Sequence, residues 1–212
     1  EAVLQYSTLL EEEVEFWKFC QFSFFRQWKE LREYANSKGV LIIGDMPIYV
    51  AMDSADVWSH SRYFQLDEEH RPKKVAGVPP DAFSEDGQLW GNPLYDWEQM
   101  EKDDFHWWRE RMKAASRLFD CVRIDHFIGI CRYFSVPAED TTSKNGSYYP
   151  GPGMKLIKAI QESAEGTEII AEDLGILVPE VEELLEESGY PGMKVLQFAF
   201  DGRKDNDHLP YM

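Results

Sequence analysis

Apolar residues follow two alternating patterns along this chain, one with the spacing of a helix and one with the continuity of a buried strand. Helical spacing runs through residues 9–37, 104–118, 154–164 and 179–188. Continuous apolar runs follow these segments, namely VLIIGD at 40–45, DCVRID at 120–125, TEIIAED at 167–173 and MKVLQFAF at 193–200. Runs of this length are typical of strands that are buried on both faces.

The alternation of helices and apolar strands predicts an α/β fold with a parallel sheet covered by helices. Gly39 and Gly189 follow predicted helices, and Pro179 stands at a first helical turn, as helix boundaries favour. A doubly wound sheet and a (β/α) barrel both satisfy this order. No GxGxxG follows a strand, which disfavours a dinucleotide-binding sheet.

Residues 46–103 differ from the rest of the chain. They are rich in Pro, Gly, Asp and aromatic residues and show little periodicity, so they are expected to be a long irregular excursion with a function. The segment NGSYYPGPG at 145–153 is also expected to be a loop.

The composition and net charge indicate which kinds of molecule the protein can bind. The 212 residues are 43% hydrophobic and 29% charged, which predicts one globular domain. A net charge of −17 repels nucleic acids and anionic membranes, and no apolar run is long enough to span a bilayer. Seven Trp and ten Tyr fit neutral sugars, whose C–H faces stack on aromatic rings, although aromatic residues also fill cores.

The cysteines and histidines indicate neither a disulfide framework nor a metal site. Cys20, Cys121 and Cys131 are odd in number and have no metal-ligand spacing, and the five His lack an HExxH motif. No signal peptide is apparent. We therefore expect a cytoplasmic protein without a metal or cofactor.

Every predicted strand ends in a carboxylate. These residues are Asp45, Asp125, Glu172 with Asp173, and Asp201. The carboxyl ends of parallel strands share one rim, where active sites form. An Asp after a strand can instead cap a helix or shape a turn. The turn is favoured for Asp201, which precedes Gly202, and a local hydrogen bond is an alternative for Asp173.

Asp125 has the strongest case for chemistry, because Arg123 lies on the same strand face and can keep it ionised. Glu172 ends the next strand, about 5 Å away in a parallel sheet. A carboxyl group in a drier setting keeps its proton and can serve as a general acid. A retaining glycosidase needs its two carboxyl groups about 5–5.5 Å apart. The residues thus predict an Asp/Glu pair that cleaves a glycosidic bond with retention.

The chain resembles the 4-α-glucanotransferases of glycoside hydrolase family 77, also called amylomaltases or disproportionating enzymes. The resemblance rests on segments that span most of the chain, namely GDMPIYVAMDSADVW (44–58), AGVPPDAFSEDGQLWGNPLYDW (76–97), RIDHFIG (123–129), NGSYYPGPG (145–153), AEDLGILVPEV (171–181) and YPGMKVLQFAF (190–200). It implies a (β/α)₈ TIM-type barrel that transfers α-1,4-glucan segments from a malto-oligosaccharide or α-glucan donor to an acceptor.

The resemblance also implies residue roles. Asp125 would be the nucleophile and Glu172 the acid/base. The implied substrate-binding residues are Arg123, which supports the nucleophile, Asp45 near the donor sugar, Asp81 and Asn92 along the glucan path, Trp90 on the acceptor side, and His126 at sugar hydroxyls. The chain would then be part of the catalytic barrel, about strands 3 to 6, with 46–103 as the glucan-contacting excursion.

The chain departs from the family pattern in three places. Ile128 stands where many relatives carry Arg, and Met52 where an acidic residue is common. The family's third carboxylate, in a His-Asp motif, does not occur by residue 212, and Asp205 and Asp207 are not assigned to it. Two alternatives therefore stay open, an α-glucan hydrolase of the same clan and a non-catalytic glucan-binding fragment.

Overall fold

The computed structural model describes residues 2–81, 84–175, 178–206 and 208–210. Its helices are α1 (Ala2–Leu9), α2 (Glu11–Ser37), α3 (Ala55–Ser59), α4 (Trp97–Lys102), α5 (His106–Leu118), α6 (Ile128–Cys131), α7 (Met154–Ser163) and α8 (Pro179–Ser188). Its strands are β1 (Ile43–Met46), β2 (Lys74–Val78), β3 (Gln88–Pro93), β4 (Cys121–Ile124), β5 (Arg132–Pro137), β6 (Ser147–Pro150) and β7 (Glu168–Ala171). The four predicted helices and the first three predicted strands are confirmed.

Within the described residues, β1, β4 and β7 form a parallel sheet in the order β1-β4-β7. The register places Asp45 opposite Arg123 and Ile124 opposite Ala171. Helices α5 and α7 pack beside it, and Trp108, Ile157 and Ile160 are fully buried in the shared core. This is the predicted α/β architecture with a parallel sheet.

A second, antiparallel sheet has the order β3-β2-β5-β6 and was not predicted. Residues 46–103 supply β2 and β3, so two strands were missed within the stretch that was expected to be irregular. The pattern was obscured by Gly77, where a β-carbon would lie 2.4 Å from the Gln88 carbonyl oxygen. Glycine is needed there because the two strands approach closely at a register shift.

The segment NGSYYPGPG also contains a strand, because β6 pairs with β5 and stacks Tyr149 against Tyr133. The expected loop is therefore corrected at 147–150. All of β6 is exposed, so its residues carry no burial pattern by which periodicity could find it.

The predicted fourth strand at 193–200 is wrong, since Leu196–Ala199 form a short 3₁₀ helix. Side chains take the N–H groups that a sheet ladder would use. The Met193 N–H donates to Asp173, and the Val195 N–H donates to His208 Nδ1. Apolar composition alone does not make a strand when its donors are already used.

Helix α2 joins this core through a few polar contacts. The Trp28 indole N–H donates to the Leu118 carbonyl at 2.8 Å, and Arg32 pairs with Asp120 at 2.7 Å. No α2 residue is buried, and most of its aromatic residues, such as Phe16, Trp17 and Phe19, are exposed.

Candidate active site

Three strands of the parallel sheet deliver the predicted carboxylates to one rim. Asp45 lies in β1, whereas Asp125 and Glu172 directly follow β4 and β7. The backbone ladder continues into both of the latter, since the Asp125 N–H donates to Met46 O at 3.0 Å and the Glu172 N–H donates to Ile124 O at 2.9 Å. Regular sheet pairing therefore fixes the backbones of both residues side by side.

Arg123 connects two of these carboxylates. Its Nε and Nη2 each lie 2.8 Å from an Asp45 oxygen, and Nη2 lies 3.0 Å from Asp125 Oδ1. The predicted contact with Asp125 is present. Arg123 makes two hydrogen bonds to Asp45 and only one contact with Asp125. Hydrogen bonding to Asp45 is also the main reason why the pKa of Arg123 is raised.

Glu172 is almost buried, with 9% of its surface exposed. Its Oε2 accepts the His126 N–H at 2.8 Å, and its Oε1 accepts the Leu174 N–H at 2.9 Å. Burial raises the pKa of Glu172, the two backbone donors oppose that shift, and the charge of Asp125 adds to it. The net direction is upward, which favours a group that keeps its proton.

His126 has an unusual backbone, with φ of 53° in the left-handed region. This conformation accompanies the N–H bond from His126 to Glu172. Its ring stands edge-on to Trp90, with ring centroids 4.9 Å apart. Burial lowers the pKa of His126 to about 4, so the imidazole is neutral at physiological pH.

A cleft of about 220 Å³ opens beside Glu172. The predicted residues Asp81, Trp90, His126 and Glu172 line it, together with Val78, Pro79, Gln88, Ile128, Tyr148, Leu174 and Gly175. Tyr148 and Leu174 were missed, because only the hairpin and the turn after β7 bring them here. A larger hollow of about 560 Å³ lies beside Trp58 and is lined by none of the predicted site residues.

Four predicted site residues lie outside this cleft, namely Asp45, Asn92, Arg123 and Asp125. Asp45, Arg123 and Asp125 are grouped on the adjoining rim through their ion pairs. The Asn92 side-chain amide donates to the Val50 carbonyl at 2.9 Å, so this residue braces the backbone before α3.

Asp81 does line the cleft, and its Oδ1 accepts the Ser84 N–H.

Two carboxylates that follow predicted strands have local partners, as the alternatives for them allowed. Asp173 accepts the Met193 N–H at 2.7 Å. Asp201 accepts the Arg203 N–H at 2.9 Å and pairs with the Arg203 guanidinium. Neither residue lines the cleft beside Glu172.

The fold and the site together define a class of protein. A buried acid and an Arg-supported carboxylate, placed at the carboxyl ends of neighbouring parallel strands beside an aromatic wall, are typical of enzymes that act on glycosidic bonds with retention. The chain belongs to the 4-alpha-glucanotransferase family, whose model matches residues 1–212.

Relatives with this name come from bacteria and plants. The chain is 51% identical to 4-alpha-glucanotransferase of Clostridium butyricum over 212 residues, covering 100% of the chain and 44% of that protein. The Thermus thermophilus protein is 51% identical over 99% of the chain and 42% of its own length. The Arabidopsis thaliana relative, named chloroplastic/amyloplastic, is 51% identical over 90% of the chain and 33% of its own length.

A solved structure also shares the fold. Amylomaltase from Streptococcus agalactiae in complex with acarbose superposes with a TM-score of 0.93 at 43% identity, covering 100% of this chain and 43% of that one. The chain thus spans less than half the length of the relatives it matches.

Among the described residues, no helix is both long enough and apolar enough to cross a bilayer.

Proposed function

We propose that the protein containing this chain is a 4-α-glucanotransferase that transfers α-1,4-glucan segments between malto-oligosaccharides. The main support for this proposal is that two unlike carboxyl groups directly follow paired residues of neighbouring strands. Arg123 contacts Asp125 at 3.0 Å, whereas Glu172 is buried and its pKa is raised. The names of the relatives support the substrate class.

The proposed reaction is a double displacement. Glu172 protonates the glycosidic oxygen while Asp125 attacks the anomeric carbon, and the leaving glucan departs as an alcohol. A second glucan then enters. Glu172, now a base, takes the proton from the acceptor's 4-hydroxyl as that oxygen displaces Asp125. The third carboxylate of the family would lie in the part of the relatives that this chain does not match.

The remaining predictions belong to the same proposal. The parallel strands would be consecutive members of a (β/α)₈ barrel, about strands 3 to 5, and 46–103 would be its glucan-contacting excursion. The corrected segment 193–200 removes the direct support for strand 6. Three free cysteines support the proposed cytoplasmic location.

The test is Asp125→Asn in the full-length protein. Wild type should convert maltotriose into glucose and longer oligomers without a net gain of reducing ends. The variant should lose transfer by at least about 10³-fold, since it keeps the shape of the side chain but not its nucleophile. Asp201→Asn, in the turn with Arg203, is the matched control and should transfer normally. Normal transfer by Asp125→Asn would refute the assignment, and a net gain of reducing ends in wild type would indicate the hydrolase instead.

A further inference from the structure

Asp173 is a buried carboxylate that the proposed reaction does not use. It is 6% exposed and follows Glu172 directly. Successive residues of an extended segment point to opposite sides, so Asp173 faces away from the cleft that Glu172 lines. It lies instead toward α8, in a depression that it shares with Leu185, Tyr190 and Lys194. A polar side chain buried here requires a structural or functional reason.

The segment 191–193 lies directly against this carboxylate. Asp173 Oδ1 accepts the Met193 N–H at 2.7 Å, and the Ala171 N–H donates to Pro191 O at 2.9 Å. Gly192 lies between these two contacts. A β-carbon on Gly192 would be 2.3 Å from Asp173 Oδ2 and 2.8 Å from its Cγ. Only glycine therefore lets the segment reach the carboxylate, and the carboxylate fixes where Met193 lies.

Met193 in turn contacts the arginine of the site. Its Sδ lies 3.8 Å from Arg123 Nη1. The other two guanidinium nitrogens are held by Asp45, and Nη2 also contacts Asp125. The soft methionine sulfur thus covers the side of the guanidinium that the carboxylates leave open. Each of the three guanidinium nitrogens of Arg123 therefore has a neighbour, and segment 191–193 supplies the neighbour of Nη1.

We propose that Asp173 is a positioning residue for the nucleophile. It anchors segment 191–193 so that Met193 holds the Arg123 side chain in the orientation that reaches Asp45 and Asp125. This inference rests on the proposed function, in which Asp125 attacks the substrate. Asp173 itself touches neither the cleft nor the reacting atoms, so its effect passes through Met193 and Arg123.

The test compares Asp173→Ala, Gly192→Ala and Met193→Ala in the full-length protein. Each should lower kcat for maltotriose transfer by about tenfold with little change in KM, since a small misplacement of a reacting group is costly. Asp173→Asn keeps an oxygen for the Met193 N–H and should restore most of kcat.

Met193→Ala keeps the anchor and removes only the sulfur contact, so it remains informative if Asp173→Ala does not fold. Wild-type kcat in Met193→Ala would overturn the proposal, as would wild-type kcat in Asp173→Ala. Crystal structures of the variants give a readout that does not depend on activity. Arg123 should leave Asp45 in Asp173→Ala, and an unmoved Arg123 would contradict the inference. If wild type does not transfer glucan, the proposed function fails and this structural readout still tests the anchor.

Discussion

The parallel and antiparallel sheets both contribute to the cleft, but they contribute different chemistry. Strand β7 of the parallel sheet delivers Glu172 to the cleft, and β4 places Asp125 on the adjoining rim, each at its carboxyl end. Strands β3 and β6 of the antiparallel sheet deliver Trp90 and Tyr148. One sheet thus supplies acids and the other supplies an aromatic wall.

The two contributions also differ in how firmly they are held. Both Glu172 oxygens accept backbone N–H groups, which cannot rotate away. Trp90 is 36% exposed and is positioned by side chains, through an indole bond to Gln88 and an edge contact with His126. The acid is therefore fixed before a ligand binds, whereas the aromatic wall can adjust to the ligand.

Glu172→Gln tests the residue that the backbone holds in place, and it should have the largest effect. It keeps the shape of the side chain but cannot transfer a proton, so kcat for maltotriose should fall on the order of 10²- to 10⁴-fold. A donor with an activated leaving group needs less protonation and should lose less in the first step. Glu168→Gln, at the exposed start of the same strand, is the control and should leave kcat unchanged. Equal losses in both variants would remove Glu172 from the proposed role.

Trp90→Ala tests the adjustable side. Loss of the ring should raise the acceptor KM by about tenfold, equivalent to about 1.4 kcal/mol. It should also let water compete for the intermediate, so the ratio of new reducing ends to transferred glucan should rise. Trp58→Ala is the matched control, because this tryptophan is 76% exposed beside a hollow without predicted site residues. A Trp58→Ala variant with the same rise in hydrolysis would show that the aromatic wall is not specific to Trp90.

The same difference explains what the sequence could predict of the fold. Strands of parallel sheets usually have continuous apolar runs, which are visible without a partner. The antiparallel strands were missed because Gly77 interrupts β2 and all of β6 is exposed. Segment 193–200 is apolar, but its N–H groups bond to Asp173 and His208, which depends on tertiary contacts rather than on local pattern.

The candidate site was predictable to a similar extent. Strand-end position and spacing predicted that Asp125, Glu172 and the supporting Arg123 would lie at one rim. The two-point bond between Arg123 and Asp45 depends on the register of β1 against β4, which a single sequence does not contain. The left-handed backbone of His126, which aims its N–H at Glu172, carries no local signal, because histidine is not a residue that requires it.

Helix α6 joins the two sheets, and its Ile128 allows the smallest predicted effect to be tested. Ile128 is 6% exposed and lines the cleft with Glu172. Burial raises the pKa of Glu172 above its ordinary value of 4.5, so the protonated acid persists to higher pH and the alkaline limb of kcat/KM lies above that value. Ile128→Asn admits water, lowers the pKa of Glu172 and should move the alkaline limb to lower pH.

Ile128→Val is the control for this measurement, because it keeps the wall apolar and should leave the limb in place. His126 cannot produce the same limb, since its pKa is lowered to about 4 and its ring is already neutral there. An alkaline limb that stays fixed in Ile128→Asn would mean that the backbone donors and Asp125, rather than the dry wall, set the protonation of Glu172. The pKa of Glu172 would then depend on the parallel sheet alone and not on the apolar side chain of Ile128 in α6.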